Sequence, residues 1–401
     1  MLLLLTLLST PILVSCEQSS PEGNVQAQSA FNIGGSKPWS TLQAEVDQAK
    51  DGDTIDLSSY VYPVPQGTSC NVTVPKGLSL KLQGRGWVFE KVSFFFEGDN
   101  TVVIEDLGLT YNFDEPGSGE PPPSALYFQG GDNHLELVGN NSVFMNSRED
   151  MLGYGAAIGV PKGSSLLIDG DGSLKVNSGS GGGAGIGGGF NTASGKITIS
   201  GGDITVFGGV ANAYKGLSEQ QKGAAAIGGG SGADGGEIII TGGRILARGN
   251  GGAAGIGGGF GGTGGIIQIS GGYVESHADE GAAGIGGGLG GAGGIIRIDG
   301  GEVEAYSVVS GDSPGSGPAI GNGYGGTGGI LAMSGGILIA IGSGLPCHTA
   351  IDCTIRSLPV QYHWRADALD DPDGQGIQES SYPDQAFVNS SNYSFVRIEA
   401  Y

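Results

Sequence analysis

The sequence predicts an all-β protein: a right-handed, single-stranded parallel β-helix with a short N-terminal capping helix and a small C-terminal β cap. Three observations predict it. Isoleucines set in Ala-Ile-Gly or Gly-Ile-Gly recur at Ile158, Ile186, Ile227, Ile256, Ile285 and Ile320, with spacings of 28, 41, 29, 29 and 35. Two further short aliphatic strands follow each of them, so every repeat of about 29 residues carries three strands, a solenoid signature. Glycine supplies 83 of the 401 residues, without the every-third-residue period of collagen.

The second strand of each repeat carries a pair of inward residues: Ile197/Ile199, Ile238/Ile240, Ile267/Ile269 and Ile296/Ile298. The third follows a Gly-Gly corner and turns Ile204, Ile245, Val274, Val303 and Leu338 inward. One coil cannot bury so few aliphatics alone. Stacked coils align them into interior columns. The glycine triplets after Ile186, Ile227, Ile256 and Ile285 allow φ > 0 and close approach of neighbouring coils.

Ahead of the repeats, WSTLQAEVDQAK over 39–50 places Leu42, Val46 and Ala49 at helical spacing, with Ser40 as candidate N-cap. A helix there would cover the open end of the first coil and block edge-to-edge pairing. Short alternating strands follow, such as Leu78-Ser79-Leu80-Lys81-Leu82 and Leu135-Glu136-Leu137. The organisation expected is an export signal at 1–16, a flexible tether at 17–36 and a cap with irregular coils at 37–152. Regular repeats then occupy 153–340, and a C-terminal cap 341–401.

The opening stretch, MLLLLTLLSTPILVS, is nearly all apolar, too short to span a membrane and ends in small residues, as an export signal does. Leu13-Val14-Ser15-Cys16 resembles the bacterial lipobox, although a basic n-region is missing. The resemblance implies a lipid on Cys16 and an outer-membrane or cell-surface location; plain secretion is the alternative. Membrane contact is expected only through that anchor. Cys347 and Cys353 bracket a five-residue loop, and in an exported chain a disulfide between them is expected. Cys70 is left over and expected to be buried.

Gly251-Gly252-Ala253-Ala254-Gly255-Ile256-Gly257-Gly258-Gly259 and Gly281-Ala282-Ala283-Gly284-Ile285-Gly286-Gly287-Gly288 carry a wider likeness. Over about 37–401 the chain resembles bacterial cell-surface proteins with GAAGIGGG-type repeats on a pectate-lyase-like parallel β-helix. The resemblance implies an adhesin, a carbohydrate-contacting module or a stalk.

Composition and motifs exclude several classes. A net charge of -22, from 18 basic and 40 acidic side chains, repels phosphate backbones, so no nucleic-acid partner is expected. The glycine loops recur in every coil, lack a following Lys-Ser/Thr and precede no helix, which argues against phosphate binding. No cofactor is expected. Calcium is the one alternative, from Asp169-Gly170-Asp171-Gly172 and Asp371-Pro372-Asp373-Gly374, but neither completes an EF-hand loop. A catalytic constellation is also missing from the pattern. Glu275 over Glu304, with Glu302 beside them, are the closest carboxylates, and a solvated acidic face is the plainer reading.

The two period breaks coincide. Relative to a 29-residue coil, 12 and 6 residues are added, both between the third strand and the next isoleucine. Insertions at one corner of a solenoid project from one edge. That edge gathers Tyr214, Lys215, Arg248, His277, Asp279, Glu280, Tyr306 and Asp312. Polar and aromatic groups together suit contact with a glycan or another surface protein. A polysaccharide lyase or glycoside hydrolase on the same scaffold is the competing expectation. Three or more convergent carboxylates in a cleft would favour it, and a flat rim would favour binding.

Overall fold

The computed structural model describes residues 35–64, 70–112, 124–146, 155–211, 222–308, 317–342, 349–367, 378–382, 385, 387 and 393–401. The architecture is a parallel β-solenoid. Its strands stack in three columns, and the chain visits each column once per coil.

The first column joins ten strands, from Cys70–Val74 to Ile351–Asp352. Its register pairs Ile158 with Ile186, then Ile227, Ile256, Ile285, Ile320 and Ile351. Ile158, Ile186, Ile227, Ile256, Ile285 and Ile320 have no exposed surface. In the regular coils these strands are only two residues long, because each is the tip of a tight inward loop. The Ala254 N–H closes that loop on the Gly258 carbonyl at 3.0 Å, and Ala184, Ala225 and Ala283 do the same with Gly188, Gly229 and Gly287. Gly257 sits at φ +134, where a Cβ would come within 2.1 Å of the Gly286 carbonyl oxygen in the next coil. Hence this position is glycine in every regular coil: the space above it is already backbone.

The second column runs from Asp53–Asp56 through strands such as Lys196–Ile199, Glu237–Ile240 and Ile266–Ile269. The third includes Asp203–Phe207, Arg244–Arg248, Tyr273–Ala278, Glu302–Ser307 and Ile337–Gly342. Burial alternates along them, as period-two side chains require, and the inward residues are those the repeat pattern assigns. The 12-residue insertion leaves the predicted corner on a short antiparallel stem, Val210–Ala211 with Lys222–Gly223.

The ends differ from each other. At the N-terminus a 3-10 turn, Trp39–Thr41, leads into the helix Leu42–Gln48, which lays Leu42 and Val46 on the first coil. The N-cap is Thr41 rather than Ser40, and it caps without its side chain; that hydroxyl instead donates to the Pro38 carbonyl at 2.8 Å. Cys70 is half-buried, not sealed in the core, with its Sγ 3.6 Å from the Trp39 carbonyl. At the C-terminus the third column simply continues. Phe395–Ala400 pairs antiparallel with Ile337–Gly342, Tyr362–Asp367 with Phe395–Ala400, and Gln378–Tyr382 with Tyr362–Asp367. The cap is therefore an in-plane extension of one face of the rod. No helix among the described residues is long and apolar enough to cross a membrane.

Candidate functional site on the third column

Strand alternation sends Val274, Ser276 and Ala278 inward and leaves Tyr273, Glu275 and His277 on the outer face. The inward hydroxyl of Ser276 is satisfied by the Gly284 carbonyl at 2.7 Å. One coil further on, Glu302, Glu304 and Tyr306 occupy the same rungs, in register with Tyr273, Glu275 and His277. One coil back stand Arg244, Leu246 and Arg248.

These neighbours interlock. The His277 ring lies on the Tyr306 ring with centroids 4.6 Å apart and planes 9° from parallel. His277 Nε2 donates to Glu275 Oε1 at 2.7 Å, and the Tyr273 hydroxyl reaches Glu275 Oε2 at 3.3 Å. The Tyr306 hydroxyl donates to Glu304 Oε2 at 2.6 Å. The Arg244 guanidinium covers the Tyr273 ring at 4.6 Å. Stacked rings and tied carboxylates hold the face rigid, although His277 and Glu275 keep about a quarter of their side chains exposed.

Electrostatics follow the geometry. The hydrogen bond from His277 holds the Glu275 carboxyl below its ordinary value, with the Tyr273 hydroxyl and the Arg248 charge acting in the same direction. Partial burial and the charges of Glu304 and Glu275 push the Tyr273 phenol up to about 12. Tyr306 is raised further by burial and by its bond to Glu304. Both phenols thus stay protonated and able to donate.

Of the residues expected on the rim, Arg248, His277 and Tyr306 come together in one rung of three consecutive coils. Asp279 does not join them. It is half-buried in the turn after the strand, where its Oδ1 accepts from the Gly252 N–H at 3.4 Å and partial burial raises its pKa. Glu280 follows at φ +48 in the same turn. Tyr214, Lys215 and Asp312 lie outside the described residues, as do Cys16 and Cys347. Cys353 pairs with no cysteine among the described residues, and burial pushes its thiol up to about 12.

The carboxylate loops weighed for calcium give no cluster among the described residues. Asp169 bonds to His134 at 2.7 Å, Asp171 is exposed, and Asp371 and Asp373 are outside the described residues. A concavity of about 240 Å³ on the last coil is lined by Asn322, Asp352 and Cys353. Its buried amide is already employed: the Asn322 Oδ1 accepts from Gly293 and Gly329, and the Nδ2 donates to the Asp352 carbonyl.

No family model, curated protein or solved structure matches the chain. The likeness to glycine-repeat surface proteins rests on the repeats alone, and the reading of function rests on the third-column face. Tyr273 and Arg244 belong to that face although the rim argument omitted them. They stand 29 residues apart, one coil, and that spacing was the available signal.

Proposed function

We propose that the protein is an extracellular interaction protein, lipid-anchored or secreted, that contacts carbohydrate through the outer face of its third column. The observation that carries this reading is the stacked pair His277 and Tyr306, set among donors and acceptors whose positions are fixed by the coil register. A sugar ring presents an apolar face and a polar rim. The stacked rings cover each other's faces and turn their edges outward beside Glu275, Glu304 and Arg248, so apolar ring edges and fixed polar groups together match both. The apolar leader and the Leu13-Val14-Ser15-Cys16 stretch support a place outside the cytoplasm.

A polysaccharide-degrading enzyme is the second reading, favoured by the in-register pair Glu275 and Glu304. Against it, each carboxylate is engaged by a neighbouring phenol or imidazole, which suits fixed acceptors better than an acid and a base poised at neutral pH. A glycan array tests the proposal. Wild-type protein should be retained by a defined set of glycans, and Tyr306→Ala should lose that set. Release of new reducing ends from a retained glycan would favour the enzyme instead.

A further inference from the structure

The rung that holds His277 and Tyr306 does not stop with them. In register along the rod it reads Phe207, Arg248, His277, Tyr306, Ile341 and Phe395. All six are at least partly exposed. Five carry a planar or apolar side chain, and the sixth, Arg248, carries a planar guanidinium. The last step, from Ile341 to Phe395, crosses into the antiparallel cap, where the Arg365 guanidinium sits 5.9 Å from the Phe395 ring. We propose that this rung is a track that binds a linear neutral polysaccharide lengthwise, about one sugar per strand, with the cap as the far end of the site.

Three features carry it, and all rest on the carbohydrate reading above. First, strands repeat at about 4.8 Å, so the track runs roughly 24 Å in a line. That step is comparable to one pyranose unit in an extended chain. Second, polar groups flank the track on the next rung: Glu275, Glu304 and Arg397 lie in the row of Leu246 and Ile339. Hydroxyls on one edge of a sugar chain would meet acceptors and a donor there. Third, the charge disfavours acidic chains. Three of the four arginines on the face lie against a ring or pair with a carboxylate: Arg244 on Tyr273, Arg365 on Asp367 and Arg397 on Glu399; Arg248 is the exposed fourth. The protein as a whole carries -22, so a polyuronate would be repelled.

The test is titration calorimetry with linear oligomers of glucose, mannose and xylose, from dimer to hexamer, and with the galacturonate hexamer. One neutral series should gain affinity steadily up to the hexamer, and the galacturonate hexamer should bind more weakly than its neutral counterpart. Phe395→Ala should weaken hexamer binding about tenfold and leave the dimer unchanged. Phe395→Trp keeps a flat ring and should restore the hexamer, which separates loss of contact from damage to the cap. Affinity that levels off by the trimer, or a hexamer indifferent to Phe395→Ala, overturns the track while a Tyr306→Ala loss still upholds carbohydrate binding. If no neutral hexamer binds, the track fails, and the glycan array with Tyr306→Ala alone decides the carbohydrate reading.

Discussion

Gln43 stands in for a strand that Thr73 lacks. The Gln43 carboxamide oxygen accepts from the Thr73 N–H at 2.8 Å, and its nitrogen donates to the Thr73 carbonyl at 2.9 Å. A single side chain thus reproduces the two bonds a preceding coil would make at the open edge of the first column. Parallel stacks are exposed to end-to-end pairing at such an edge.

Gln43→Ala should therefore do two things. It should lower stability by about 1 kcal/mol, read as a shift in the denaturant midpoint. It should also raise the tendency to associate end to end, read by light scattering against concentration. Gln43→Glu keeps the acceptor but sets a charge beside Asp47 and the Thr73 carbonyl, so it should not recover wild-type stability. A Gln43→Ala protein that stays as monodisperse as wild type would show that the helix alone guards the edge.

Two glycines with positive φ separate conformation from crowding. Gly257 has a carbonyl 2.1 Å from where a Cβ would stand, whereas Gly261, at φ +74, has nothing within 4 Å. Gly257→Ala should cost about 3 kcal/mol or more, from strain and overpacking together. Gly261→Ala should cost only about 1 kcal/mol, for its backbone. Similar melting temperatures for the two variants would mean that the coils separate easily at the isoleucine loops.

The bond between His277 and Glu275 predicts a pH dependence. A carboxyl with a lowered folded-state pKa stabilises the fold above its ordinary value, and that contribution disappears as pH falls through the folded value. Wild type should accordingly lose stability below about pH 4.5, the ordinary value for Glu275, more steeply than Glu275→Gln. Arg248, Tyr273 and Glu304, which face the same carboxyl, are unchanged in that comparison. Parallel melting curves for the two proteins down to acid pH would remove the proposed role of this bond.

The proposed lipid anchor has a direct check. Cys16→Ala should move the protein from the membrane fraction to the soluble fraction. An unmodified Cys16 by mass spectrometry would eliminate the anchor and leave plain secretion.

Much of the rod was legible before the structure. Ile186, Ile227, Ile256 and Ile285 stand one per coil between glycines, so their spacing alone gives the register. The outer rungs then follow from strand alternation, and Glu275 over Glu304 was readable on that basis. What was not legible depends on contacts distant in sequence. The C-terminal β cap was legible, but its pairing of Phe395–Ala400 with Ile337–Gly342 is antiparallel and breaks the repeat, so its continuation of the third column was not. Asp279 was picked out for the rim, and nothing local announces that its carboxyl, half-buried in the turn, accepts from the Gly252 N–H of the preceding coil. His277 and Tyr306 were both picked out, but as separate polar groups at a corner. Their 29-residue spacing, one coil period, already implied that one ring lies over the other.

The proposed function requires that the stacked pair His277 and Tyr306 contact carbohydrate. The most direct measurement is the Kd of an array-retained glycan for wild type, Tyr306→Ala and Tyr324→Ala. Tyr324 is an exposed tyrosine at the turn after the first column, and so controls for loss of any surface ring. Loss of one stacking ring should weaken binding about tenfold in Tyr306→Ala and leave Tyr324→Ala at the wild-type value. Equal affinities for wild type and Tyr306→Ala, or a loss confined to Tyr324→Ala, would contradict the account.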